Sequence, residues 1–176
     1  MSATDLHSTK TARAGLFAAI ARLIGALDSL LARIPDDVLA LLARFSIAAV
    51  FWKSGQTKVE NFAIDLLDGR LHLGVPRLAE STVELFKEEY RLPLLPPELA
   101  AVAATVAEHV FPALLLIGLA TRFSAFALLI MTLVIQIFVY PGAYAIHGVW
   151  AVCLLYLMKQ GGGRVSLDQV LLRSRA

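Results

Sequence analysis

Five polar side chains stand out because each sits in an otherwise apolar stretch: Arg44, Glu108, His109, Gln136 and His147. An ionised group at the centre of a bilayer costs about 2.5–3.5 kcal/mol on insertion scales, so it normally turns inward toward a partner. Glu108 lies roughly 15 Å along a helix that starts near Glu98, and Arg44 approaches a similar depth from the opposite side. A buried Arg44–Glu108 pair is therefore expected, serving either to fix helix register or to face a substrate. A second group collects where the apolar runs end: Trp52, Lys53 and Gln56, then Gln136 and Tyr140, then Tyr144, His147 and Trp150. Gln136 and His147 as carbonyl partners, with Trp150, Tyr140 and Trp52 as aromatic wall and Lys53 nearby, are the groups a quinone headgroup needs. Tryptophan and tyrosine also gather at membrane interfaces whatever the function, and Lys53 can snorkel. A third set, His109, His147 and Glu108, has ligands suited to a transition metal. No HxxxH, ExxH or CxxC spacing supports it, so tertiary folding alone would have to assemble it.

Composition says what must position these groups. Of 176 residues, 58% are apolar and 17% charged, with mean hydropathy +0.70. A soluble domain carries about 25% charged residues. So few polar side chains cannot cover a water-exposed surface, and the chain reads as an integral membrane protein. A disordered chain, a collagenous repeat and a disulfide scaffold are excluded; Cys153 is the single cysteine and reads as a small packing residue. The net charge of +2, without a basic stripe, gives no sign of a nucleic-acid partner. No haem, flavin, nucleophile-elbow or phosphate-loop motif occurs, and Gly161-Gly162-Gly163 reads as a helix stop. Whether the chain is an enzyme stays open at this stage.

The pattern predicts an all-α fold: a four-helix transmembrane bundle with an N-terminal amphipathic interfacial helix and a structured outer loop. Residues 14–34 place Leu16, Ile20, Leu23, Ile24, Leu27, Leu31 and Ile34 at helical spacing, with Arg13, Arg22 and Arg33 on other faces. Residues 1–36 form this segment, residues 37–160 the membrane domain with its outer loop at 58–97, and residues 161–176 a cytoplasmic tail. The apolar runs are Val38–Lys53, Glu98–Ala120, Phe123–Tyr140 and Tyr144–Met158, four segments to set against the length of about 20 residues that crosses a bilayer. Within the loop, Ser81 to Tyr90 reads as a short helix capped by Ser81, and Pro97 fits the first turn of the second span. Val165–Arg173 reads as a short amphipathic helix capped by Ser166. Lys10, Arg13, Arg22, Arg33, Arg122, Lys159, Arg164, Arg173 and Arg175 fall on one side, which places both termini in the cytoplasm. Ala100, Ala103, Ala104 and Ala107 form a small-residue face that would permit a homo-oligomer.

An ordered series of motifs resembles the DoxX family of small bacterial membrane proteins. Arg44 with Phe51-Trp52-Lys53-Ser54-Gly55-Gln56-Thr57-Lys58 is similar to its first-helix signature. Leu85 to Tyr90 with Pro93, Pro96 and Pro97, Glu108 to Pro112, Gly118 to Arg122, Met131 to Gln136, Tyr140-Pro141, His147 with Trp150, and the stretch from Gly161 to Asp168 extend the resemblance over about residues 40–170. The resemblance implies a bacterial inner-membrane protein associated with quinone redox chemistry or with oxidative or metal stress. It implies a partner redox or stress protein beside the membrane lipid. The expectation is a quinone-interacting redox subunit; the alternative is a non-enzymatic scaffold or transport component of a stress system.

Overall fold

The computed structural model describes residue 17, residues 20–65 and residues 69–174; Lys10, Arg13, Leu16 and Arg175 lie outside the described residues. The chain divides into two compact units after Pro35. In the first, residues 20–31 form helix α1, and Ile20, Leu23, Ile24, Leu27 and Leu31 follow one another at helical spacing.

The second unit is mostly helical. Helix α2 (Asp36–Gln56) starts after Pro35 with Asp36 and Asp37 in its first turn, where carboxylates suit the positive end of the helix dipole. Helix α4 (Pro97–Ile117) opens with proline at its first position and ends at Gly118, whose φ of 70° closes the helix in the left-handed conformation that glycine adopts without strain. Helix α5 (Thr121–Val134) continues as a π turn over Ile135–Val139, and α6 (Tyr144–Gln160) stops at Gly161. The four candidate spans are 19–21 residues long, about 29–32 Å, which matches a hydrocarbon core of about 30 Å.

Helix α2 packs on α4 and α6, and α5 packs on the same two, closing a four-membered ring. Its core contains Ile47, Phe51, Leu115, Leu128, Leu154 and Leu157 with the small Ala43, Ala48 and Ala125. Outside the ring, Leu42, Phe45, Val106, Phe123 and Val152 are among the apolar side chains left exposed, a belt that water would not tolerate and acyl chains do.

Between α2 and α4 the chain makes a feature the sequence reading lacked. Strands β1 (Val59–Asp65) and β2 (Arg70–Leu78) form an antiparallel hairpin whose register breaks between Glu60 and Phe62. Asn61 occupies that bulge at φ 62°, a conformation asparagine tolerates. Helix α3 (Glu80–Leu85) follows and runs into a π turn, Phe86–Tyr90. It starts one residue ahead of Ser81, so the expected serine cap does not form; Ala79 occupies the cap without a side-chain bond. Phe86 packs on Ala100 and Ala101, with Ala104 against the same cluster. Half of the small-residue face is thus covered from within the chain. Helix α7 (Leu167–Arg173) is capped by Ser166, as expected, with its Oγ accepting from Gln169 N at 3.3 Å.

Candidate functional site

The bundle has two ends: a tail end, where α2 and α6 meet the segment leading to α7, and a hairpin end. At the tail end Arg44, 3% exposed, directs its guanidinium at four carbonyls. Nε donates to Leu115 O (2.7 Å) and Nη2 to Leu116 O (2.6 Å), while Nη1 donates to Gly162 O (2.8 Å) and Val165 O (2.6 Å). The last carbonyls of α4 have no helical partner, and a cation there also opposes the negative end of the helix dipole. The carboxylate of Asp168 accepts from Ala120 N (2.7 Å) and Thr121 N (2.9 Å), capping α5. Asp37 accepts from Arg164 N at 2.7 Å. The tail is thereby built into the bundle. A cavity of about 720 Å³ lies among these residues; of its charged lining, Asp37 and Asp168 accept from the backbone, Arg122 donates to Met158 O (2.7 Å), Asp36 accepts from Tyr156 and Arg164 lies beside Asp37.

The expected Arg44–Glu108 pair is therefore corrected. Arg44 reaches the end of α4, with its guanidinium carbon close under Gly118, whereas Glu108 lies against Gly55 near the other end of α2. Glu108 instead pairs with Lys58, Nζ to Oε2 2.7 Å, with side chains 4% and 5% exposed respectively. Ser54 Oγ donates to Glu108 Oε1 (3.2 Å) and lies 2.9 Å from Lys58 Nζ. The Lys58 carbonyl also accepts from Ala79 N (3.0 Å) and Thr82 Oγ1 (3.1 Å), joining the pair to the base of the hairpin and the start of α3.

Next to this pair, one chain of hydrogen bonds has a single possible polarity. Ile64 N–H donates to Gln56 Oε1 (2.7 Å), so the Gln56 amide nitrogen donates to His109 Nε2 (2.9 Å). The proton of a neutral His109 then sits on Nδ1 and goes to Thr105 O (2.7 Å). Trp52 Nε1 donates to Ile64 O (3.0 Å), and its ring meets His109 edge-on at 5.3 Å. Gly55 permits this approach, since a Cβ there would lie 2.9 Å from His109 Cε1. Beside His109 a groove of about 450 Å³ runs between the hairpin and α4.

On another side of the same end, Gln136 and His147, each expected as a carbonyl partner, bond to one another. Gln136 Nε2 donates to Pro141 O (2.7 Å), which leaves its Oε1 to accept from His147 Nδ1 (2.7 Å). His147 is 6% exposed, its ring lies 4.9 Å from Trp150, and Nε2 has no partner among the described residues. Trp150 in turn tilts against Phe51 at 5.6 Å. Tyr140 turns away, donating to Glu89, and packs against Tyr90. Burial, followed by the neighbouring Tyr140, Glu108 and Glu89, pushes the Tyr90 phenol up to about 12.

The aromatic pocket expected from the sequence is thus split. Phe51 and Trp52 are consecutive on α2 and point about 100° apart; Phe51 faces Trp150, whereas Trp52 faces His109. Lys53 is exposed. The metal set is likewise not assembled: His109 and His147 serve different partners, and no three His, Cys, Asp or Glu side chains gather as ligands among the described residues.

Four bilayer-length helices around one core, with an apolar exterior and buried charges turned inward, define an integral membrane protein of the multi-pass helical class. The DoxX family model matches residues 39–141, more than half of the chain, and the chain belongs to the DoxX family. The matched stretch carries Arg44, Lys58, Glu108, His109 and Gln136, and ends before His147. No curated protein and no solved structure matches the chain.

Proposed function

We propose that the protein is a quinone-interacting, redox-associated subunit of the bacterial inner membrane, with both termini in the cytoplasm and the hairpin end facing outward. The observation that carries this reading is His147: a buried imidazole, oriented by Gln136, backed by Trp150, and without a partner at Nε2 among the described residues. With its proton on Nδ1, Nε2 accepts from a hydroxyl of the reduced quinol. Once protonated, it donates to a quinone carbonyl. Gln136 positions the imidazole and Trp150 supplies the flat wall. Electrons pass to or from a partner protein of redox or oxidant-stress type.

Short-tailed ubiquinone and menaquinone analogues added to the purified chain test this directly. Saturable quenching of tryptophan emission is expected. His147→Ala weakens it about tenfold, the weight of one hydrogen bond of about 1.4 kcal/mol. Absence of binding, or equal binding by His147→Ala, overturns the proposal. The second reading, a scaffold or transport component of a metal- or oxidative-stress system, draws on Gln136, whose amide is engaged by the protein at both ends. A stoichiometric partner retained equally by wild type and His147→Ala, with no quinone response, selects it.

A further inference from the structure

The groove beside His109 differs in kind from the His147 site. Its floor and walls are Trp52, Phe62, Val102, Val106 and Val110, with the hairpin above. The three valines are exposed on the bilayer side of α4 and span about 12 Å along it. The polar atoms in the groove are already engaged: Trp52 Nε1 with Ile64 O, Thr105 Oγ1 with Ala101 O, and both ring nitrogens of His109. The floor therefore offers no free donor to a polar headgroup and suits a hydrocarbon chain. At the rim stands Arg77, exposed on β2. Glu60 is its cross-strand neighbour, yet Arg77 forms no ion pair among the described residues.

We infer that this groove holds an anionic glycerophospholipid of the surrounding bilayer, one acyl chain lying along Val102–Val110 beneath the hairpin and the phosphate meeting Arg77. Charge complementarity at the rim and an apolar, bilayer-facing floor select this occupant over a neutral lipid. An arginine near an anionic headgroup contributes about 1 kcal/mol, equivalent to about a fivefold preference. The lipid also holds the hairpin against α4 from its open side, adding to the Ile64 backbone bonds of Trp52 and Gln56 and to the ring contact of Phe62 with His109.

The test uses the full chain in phosphatidylcholine nanodiscs. Chain-brominated phosphatidylglycerol or chain-brominated phosphatidylcholine replaces part of the lipid at equal mole fraction. Bromine quenches indole emission on contact, and the chain has two tryptophans, Trp52 and Trp150. The Trp52 share is the difference between wild type and Trp52→Phe. Brominated phosphatidylglycerol is expected to quench that share with about fivefold higher apparent affinity than brominated phosphatidylcholine. Arg77→Gln, a surface substitution that leaves the hairpin ladder intact, brings the two to parity. Equal quenching in the wild type, no quenching of Trp52 by either lipid, or a preference that survives Arg77→Gln overturns the inference.

Discussion

The two ends of the bundle handle buried charge differently. At the tail end Arg44, Asp37 and Asp168 bind main-chain atoms, so each charge completes a helix terminus or fixes a loop. At the hairpin end the buried charges meet each other, Lys58 with Glu108, and neutral side chains also pair, Gln56 with His109 and Gln136 with His147. A charge that satisfies backbone carbonyls cannot be moved without opening a helix end. Paired side chains can exchange partners when a ligand arrives. The tail end is accordingly the fastening of the fold, and the ligand chemistry proposed above lies at the hairpin end.

Substitutions can break that contrast, and the largest effect is expected at Arg44. Arg44→Ala removes four charge-assisted bonds and leaves Leu116 O, Gly162 O and Val165 O without donors, Leu115 O keeping Gly118 N; the expected cost is on the order of 5 kcal/mol, since each such bond contributes about 1.5–3 kcal/mol before relaxation. Thermal denaturation in detergent reads this out. Arg44→Lys keeps the charge without the planar fork and should recover only a minor part. A full recovery would mean that charge alone matters there.

The Lys58–Glu108 pair should behave otherwise. Lys58→Met strands a buried carboxylate and costs about 3–5 kcal/mol, whereas Lys58→Met with Glu108→Leu regains most of the loss. A double variant no better than the single one would show that the pair is as fixed as Arg44. A smaller effect is expected from His109→Phe, which keeps the ring but leaves the Gln56 amide nitrogen without its acceptor, at about 1–3 kcal/mol. It should loosen the hairpin, seen as faster amide exchange at Ile64, with the tail end unaffected.

The smallest effect belongs to Tyr90. Its neutral phenol is the form the fold favours, so stability stays level below pH about 10. It then declines toward about 12, where the folded-state phenol ionises. Ultraviolet titration should show a late tyrosinate step that Tyr90→Phe removes. A titration unchanged by that substitution would contradict the packing of Tyr90 between Phe86 and Tyr140.

The spans were legible because about 20 apolar residues bounded by Pro35, Pro97, Gly118 and Gly161 leave few alternatives in a bilayer. The Ser166 cap was legible for a similar reason, since it depends on residues three apart in sequence. The hairpin was not, since Asn61, Gly74 and Pro76 interrupt the alternation that signals strands. The Cα of Arg44 lies deeper than the charge it carries, because the long side chain runs toward the end of α4, and sequence position reports only the Cα. Lys58 was missed because it lies just past α2, where a lysine looks like an interface residue. Its signal was present in Glu108, a buried acid that required a cation from some adjacent turn. The rotation of α2 about its axis, which separates Trp52 from Trp150, is set by packing and leaves no local mark.

The central claim, that ligand chemistry resides at the imidazole left open at the hairpin end, is tested most directly by nitrogen NMR of the four histidines in labelled protein during titration with a short-tailed quinol. The account predicts that His147 Nε2 shifts while both ring nitrogens of His109 stay in place, held by Gln56 and Thr105. A His147 resonance that does not move, or a shift confined to His109, would contradict it.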